Sequence, residues 1–317
     1  MQIDAAMLED LRRFNRVLRW LPRFKVSNRV IPRLGQALLR IMQLGADRRL
    51  RRRGLLVERR MAGDPRGQVP VRILRPAGAV SGIVLDIHGG GWVIGNPQMN
   101  DALNAAIVEA CAVAVVSVDY RLATGATVTQ MIDDCTVAAR WLLGGGMPDL
   151  AHLPVIVVGE SAGGHLAAAM LQRLRAWPVL LARVAGALLW YGVYDLAGTP
   201  GVRAAGRDTL VLDGPRMLPS LRLLTPGMDD TARRDAALSP LYGELGGMPP
   251  ALMFVGERDP LRDDTLALAQ RWRQVAPLDL HLLPEAPHGF IHFPVQMGRA
   301  ACAHAHAWIN ERLAVAN

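Results

Sequence analysis

The stretch that decides the architecture is Pro154-Val155-Ile156-Val157-Val158-Gly159-Glu160-Ser161-Ala162-Gly163-Gly164, followed by His165-Leu166-Ala167-Ala168-Ala169-Met170. The Val/Ile run has the length and β-branching of a buried strand, and the Leu/Ala/Met run has the composition of a helix. Between them lies the pattern G-x-S-x-G. In a strand-turn-helix setting, the glycines leave room for a sharp turn that strains the serine backbone and projects its hydroxyl beyond the sheet at a helix N-terminus. Five letters alone are a weak signal; in this setting they mark Ser161 as a nucleophile.

Working outward, short apolar runs alternate with helical stretches: residues 82–87, 113–118, 155–158, 184–190, 251–255 and 278–283 read as strands. The helices between them fall at about 98–110, 130–143, 162–175, 262–274 and 297–314. Continuous Val/Ile/Leu strands separated by helices predict an α/β fold with a mostly parallel central sheet buried on both faces. Residues 55–76 alternate with a period near two, as in Val69, Val71 and Ile73, and predict an antiparallel entry hairpin. From Leu11 to Leu50 apolar residues recur at helical spacing (Leu11, Phe14, Leu18, then Leu34, Leu38, Ile41 and Met42), broken by Pro22 and Pro32, which predicts two or three amphipathic helices. Residues 199–245 interrupt the rhythm with Pro, Gly, Arg and Asp around a helical patch at 215–224, as a lid inserted after a strand would.

The chemistry-bearing residues follow strand ends. The run at 83–87 ends in His88-Gly89-Gly90-Gly91-Trp92, and consecutive glycines there let backbone N–H groups turn toward an oxyanion. His88 precedes the glycines and reads as loop scaffold. A serine nucleophile needs a base and a carboxylate to orient it, in the chain order Ser, Asp, His for this arrangement. Asp259 follows the strand at 251–255 more closely than Asp263 and Asp264, which belong to the first turn of the next helix; Glu257 is the fallback. His288 lies between Pro287 and Gly289 just after the next strand, whereas His292, beside Phe293, reads as a packed residue. His152, His165, His281, His304 and His306 carry no chemical expectation.

Composition bounds the function classes. The chain has 317 residues, 51% hydrophobic and 20% charged, the balance of a well-buried globular protein of one core plus insertions. The net charge of +8 is unevenly placed. Residues 1–60 carry 16 Lys+Arg (15 Arg and Lys25) against Asp4, Glu9, Asp10, Asp47 and Glu58, a balance of +11; the remainder carries 20 against 23, a balance of −3. The arginine run 48–53 is expected to be a solvated helix face, with weak contact to an anionic surface as the alternative and no nucleic-acid module around it. Cys111, Cys135 and Cys302 form no disulfide framework or metal spacing, and no signal peptide or spanning segment is read, so a reduced, cytoplasmic setting without metal or cofactor is expected.

Taken together, His88-Gly89-Gly90-Gly91-Trp92, Asp119-Tyr120-Arg121-Leu122-Ala123, Gly159 to Gly164, Asp259-Pro260-Leu261-Arg262-Asp263 and His288-Gly289-Phe290 resemble the bacterial hormone-sensitive lipase family of α/β-hydrolase esterases, in the family's order. The resemblance implies that Ser161 attacks an ester carbonyl, His288 moves the proton, Asp259 orients the imidazole, and the N–H groups of Gly90, Gly91 and Ala162 hold the oxyanion. It also implies a helical cap in two parts: residues 1–50 and 199–245 over a catalytic core of 51–198 and 246–317. Three departures stand out, the first an unusually arginine-rich cap, so that the family's substrate preferences are expected to carry over only loosely. Thr124-Gly125-Ala126-Thr127-Val128 replaces the usual Pro-Glu and Phe-Pro residues, so that loop is expected to differ in shape. Glu160 stands where Asp or Thr is commoner, an added methylene expected to leave the mechanism untouched.

The leading expectation is a carboxylesterase for small to medium acyl esters, with an amidase or acyl transferase using the same triad as a variant. A non-catalytic ligand-binding relative on this fold would have lost part of the triad, and all three candidates are present. A basic interaction protein is the third class, distinguished by salt-dependent binding. Trp92, Tyr191, Leu212 and Met217 are candidates for pocket lining and equally for core or cap packing; homodimerisation stays open.

Overall fold

The structure, a computed structural model, describes residues 1–316 apart from Ser27, Arg29 and Arg66. Eight strands form one sheet: β1 (Leu55–Asp64), β2 (Gly67–Pro76), β3 (Ile83–Ile87), β4 (Ala114–Val118), β5 (Val155–Glu160), β6 (Val184–Trp190), β7 (Ala251–Gly256) and β8 (Leu278–Leu283). Their spatial order is β1-β2-β4-β3-β5-β6-β7-β8. β1, β2 and β4 pair antiparallel, and every pairing from β4 through β8 is parallel. The entry hairpin and the parallel core therefore match the α/β expectation, with strand ends shifted by one or two residues.

Twelve α-helices occur among the described residues: α1 (Ala5–Leu18), α2 (Val30–Met42), α3 (Ala46–Arg52), α4 (Asp101–Cys111), α5 (Val128–Leu143), α6 (Ala162–Leu174), α7 (Pro178–Leu181), α8 (Pro200–Ala204), α9 (Gly214–Leu224), α10 (Asp230–Arg233), α11 (Arg262–Trp272) and α12 (Gln296–Ala316). Alternate residues of each central strand enter opposite cores. Leu85, Val116, Val157 and Leu189 join α5 and α6 on one face, whereas Val84, Val115, Ile156 and Leu188 join α4 and α12 on the other. A period-two side-chain pattern between two helical layers leaves no polar face, which is why these strands read as continuous apolar runs. The loop that departs from the family pattern serves as a helix start. Thr127 and Gln130 form a reciprocal capping box, so α5 begins at Val128 rather than at 130.

The chain crosses from β3 out to β4 and returns on the other side of β3 to β5. Neighbouring strands whose connections diverge leave a crevice at their carboxyl ends. Ile87 at the end of β3 pairs with Gly159 near the end of β5, so the His88–Trp92 loop and the Ser161 turn emerge side by side.

The N-terminal segment is fastened at several points. Arg72, 3% exposed on β2, grips Asp101 of α4 through two bonds (3.1 and 3.0 Å) and Asp47 of α3 at 2.7 Å. Asn15 of α1 donates to the Glu285 carbonyl (2.8 Å) and Arg12 pairs with the Glu285 carboxylate. Phe24 exchanges backbone bonds with the inserted segment, its N–H donating to Val211 (2.6 Å) and its carbonyl accepting from Asp213 (2.9 Å). Replacing Arg72 by alanine strands two half-buried carboxylates, so a loss of about 3 kcal/mol in unfolding free energy is expected. Urea unfolding monitored by tryptophan fluorescence measures it; an unchanged midpoint would refute the bracing role.

Candidate active site

Ser161 sits between β5 and α6 with φ 53° and ψ −120°, a left-handed backbone forced on a residue that has a side chain. Its N–H is tied to the Trp190 carbonyl at 2.9 Å, and its carbonyl accepts from the His165 N–H in the first turn of α6. The turn closes only because Gly163 lets α6 press on β3: a Cβ there would collide with the carbonyl oxygens of Ile87 and His88. The hydroxyl of Ser161 lies 2.9 Å from His288 Nε2, and His288 Nδ1 lies 2.8 Å from Asp259 Oδ2. Asp259 and His288 are buried, and Ser161 is half-buried. Both partners come from loops that follow adjacent strands, β7 and β8. Asp259 also accepts the Leu261 N–H, which fixes its carboxylate.

The other acidic candidates separate by position. Glu257 is exposed. Asp263 and Asp264 lie in the first turn of α11, but Asp264 does more than face the helix dipole. It is fully buried, accepts the N–H groups of Tyr194 and Asp195 and the Thr199 hydroxyl, and burial pushes its carboxyl up to about 7.

The loop after β3 has the geometry that its glycines suggest. Gly90 and Gly91 have φ 101° and 57°, and a Cβ on Gly90 would fall on the Ile94 carbonyl. Among the described residues the N–H groups of Gly90, Gly91 and Ala162 have no protein acceptor. His88 is scaffold. It stacks on Tyr120 at 4.3 Å, the Tyr120 hydroxyl donates to its carbonyl at 2.8 Å, and burial lowers its imidazole to about 4, so it stays neutral. Trp92 donates to His165, whose other ring nitrogen donates to the Leu238 carbonyl, linking the loop to α6 and the inserted segment.

Glu160 does more than add a methylene beside the serine. Its carboxylate is buried and accepts from three directions: the Gly89 N–H (3.4 Å), the Tyr191 hydroxyl (3.0 Å) and His292 Nε2 (2.6 Å). His292 is accordingly an ion-pair partner rather than a packed ring. Burial by itself would raise the Glu160 carboxyl, but His292, Tyr191 and the Gly89 amide together hold it below the ordinary range. Burial by itself would lower His292, yet the Glu160 carboxylate draws the imidazole above its ordinary value. This network joins the oxyanion loop, the residue before Ser161 and the segment after His288. The signal available in the sequence was the pair itself, a carboxylate beside the serine and a histidine four residues after His288.

A cavity of about 300 Å³ opens onto Ser161 and His288, within the range of small-molecule sites. Trp92, Tyr191, Leu212 and Met217, which the sequence leaves open between lining and packing, all line it, and Phe24 and Val26 join them from the N-terminal segment.

The sequence pattern of the α/β-hydrolase fold family matches residues 84–292. The chain belongs to that family, among its bacterial hormone-sensitive-lipase-like carboxylic ester hydrolases. It is 33% identical over 259 residues to the carboxylesterase NlhH of Mycobacterium tuberculosis, covering 78% of this chain and 79% of that protein. The esterase LipW from Mycobacterium marinum superposes with a TM-score of 0.82 at 26% identity, over 98% of each chain. A crystal structure of an esterase from the bacterial hormone-sensitive lipase family gives 0.76 at 25% identity, over 99% of this chain and 100% of that one.

The Glu160–His292 pair sets a pH signature. Because the imidazole is raised in the folded protein, its stabilisation is complete below the unfolded value of about 6.5 and is lost as pH rises through the folded one. Because the carboxyl is depressed, its share is lost as pH falls through that lower value. The melting temperature of the wild type should therefore exceed that of His292→Asn most in mildly acidic buffer, and the gap should narrow on the alkaline side. A gap independent of pH would sink this assignment.

Proposed function

We propose that this chain hydrolyses small to medium acyl esters through an acyl-serine intermediate, with Ser161 as nucleophile, His288 as general base and acid, and Asp259 as the carboxylate that orients the imidazole. The observation that carries the reading is the continuous hydrogen-bonded line from Asp259 to His288 to Ser161, 2.8 and 2.9 Å long, at the mouth of an apolar cavity. His288 takes the serine proton as the hydroxyl oxygen attacks the ester carbonyl. The carbonyl oxygen becomes an oxyanion, and the N–H groups of Gly90, Gly91 and Ala162 receive it. The protonated His288 then gives its proton to the leaving alkoxide. Water, deprotonated by the same imidazole, resolves the acyl-serine and returns the enzyme. No metal or cofactor enters these steps.

Residues 1–50 and 199–245 are proposed to act together as the cap over a core of 51–198 and 246–317. The backbone bonds between Phe24 and residues 211 and 213 support this division, as do the lining side chains supplied by both segments. The apolar lining around Val26, Leu212, Met217 and Leu224 suits an acyl chain. A cytoplasmic setting belongs to the same proposal, supported by the three free thiols. Among the described residues, no helix is long and apolar enough to cross a membrane.

A chain-length series of chromogenic esters, run on wild type and Ser161→Ala without an added acyl acceptor, tests the mechanism. Wild type should turn over steadily with an optimum at short to medium acyl length, and Ser161→Ala should lose roughly 10⁴-fold or more in kcat. Equal turnover by both proteins would dismiss Ser161 as nucleophile. A single burst without steady turnover would favour transfer to another acceptor over hydrolysis.

A further inference from the structure

Helix α2 is mounted with its apolar side facing away from the protein. Pro32, Gln36 and Leu39 face the body, and the contacts they accompany are polar. The Gln36 amide donates to the Gly95 carbonyl (3.0 Å) and accepts the Gly95 N–H (2.8 Å), and Gln43, just past the helix, exchanges two bonds with Asn96 (2.8 and 2.7 Å). Ile31, Leu34, Leu38, Ile41 and Met42 lie on the opposite side, each more than half exposed. Their spacing of three, four, three and one residues makes one stripe along a helix about 20 Å long. A helix on a globular surface normally turns such a stripe inward, and a contiguous exposed one marks an interaction surface. Just before it in the chain, Trp20 is 89% exposed and Leu21 is 51% exposed.

The charge around the stripe selects the occupant. The segment that carries it holds 16 basic residues against five acids, including the exposed arginines 48, 51 and 52 of α3. A second copy of the chain docked by the same face would bring two such segments together, at a repulsive cost. A polynucleotide would use the arginines and leave the aliphatic stripe in water. A membrane surface rich in anionic lipid satisfies both: guanidinium groups at the headgroups, Ile and Leu at the acyl boundary, and an exposed tryptophan at the depth where that ring is favoured.

We infer that α2 and the arginine-rich turns around it form a peripheral docking surface for anionic lipid bilayers, with α2 lying flat in the interface. The side chains of Gln36 and Gln43 fasten this helix to Gly95 and Asn96, directly after the Gly89–Trp92 loop, so the docked surface lies next to the mouth of the cavity. Esters dissolved in the bilayer would then reach Ser161 by a short path. That last consequence rests on the esterase reading; the docking itself does not.

Flotation of full-length Ser161→Ala with vesicles tests docking apart from catalysis. The protein should float with equimolar phosphatidylglycerol and phosphatidylcholine at low salt, weakly with phosphatidylcholine alone, and less as salt rises. Leu34→Ser/Leu38→Ser/Ile41→Ser should lower binding by about tenfold or more, given the apolar area withdrawn. Arg48→Glu/Arg52→Glu should do the same in a salt-dependent way. In the Ser161 background both variants should hydrolyse a soluble short-chain ester at the wild-type rate, which shows that they fold. Failure of the parent to float, flotation indifferent to lipid charge, or undiminished flotation of the serine variant would each overturn the inference. So would self-association in light scattering that the serine variant abolishes, since the face would then be an interface between copies.

Discussion

The parallel pairing of β3 with β5 is the constraint on which the site depends. Because the chain leaves β3 in one direction and returns on the other side, no connection fills the space beyond their carboxyl ends. Two loops must share that space, and the Ile87–Gly159 register sets them at the same height. One loop supplies free backbone amides and the other a serine hydroxyl. The strands that follow bring the remaining groups in sequence: β6 is followed by Tyr191, β7 by Asp259, and β8 by His288. The site is thus one end of a sheet, written five strands wide.

That end is also where strain accumulates. Trp92, Ser161, Tyr191 and Glu285 are non-glycine residues with positive φ, and each closely follows a different strand of the same sheet end. Such conformations persist only where surroundings over-determine them. Here the surroundings are polar contacts, buried or half-buried: Trp92 to His165, Ser161 N–H to Trp190, the Tyr191 hydroxyl to Glu160, and the Glu285 carbonyl to Asn15. Glu160 is central because it joins the oxyanion loop, Tyr191 and His292 at once. A buried carboxylate is costly unless it is fully partnered, and its three donors from separate segments make the arrangement of those segments interdependent.

The N-terminal segment holds the same end from outside. Asn15 and Arg12 grip the loop that carries His288, Phe24 meets the inserted segment across the cavity, and beyond the glycine loop Gln36 holds the Gly95 backbone and Gln43 the Asn96 side chain. The attachments of α2 are polar, which frees its aliphatic residues to point elsewhere. Charge and apolar exposure coincide on this one segment, whereas the rest of the chain is nearly balanced.

The sequence by itself determined the alternation of strand and helix, the turn at Ser161, the glycine loop at 89–91 and the order Ser, Asp, His. Each of these is written in short-range chemistry: side-chain period, β-branching, glycine where the backbone must bend, and an acid or imidazole just past a strand. Only the tertiary structure decided the rest. Glu160 and His292 lie 132 residues apart, so neither residue's neighbours announce an ion pair that exists because two loops converge. The spacing of Leu34, Leu38, Ile41 and Met42 specified a helix with an apolar side but not the direction that side would face. Periodicity is a property of the helix alone, while orientation depends on what the helix packs against, and here polar bonds from Gln36 and Gln43 turned it outward.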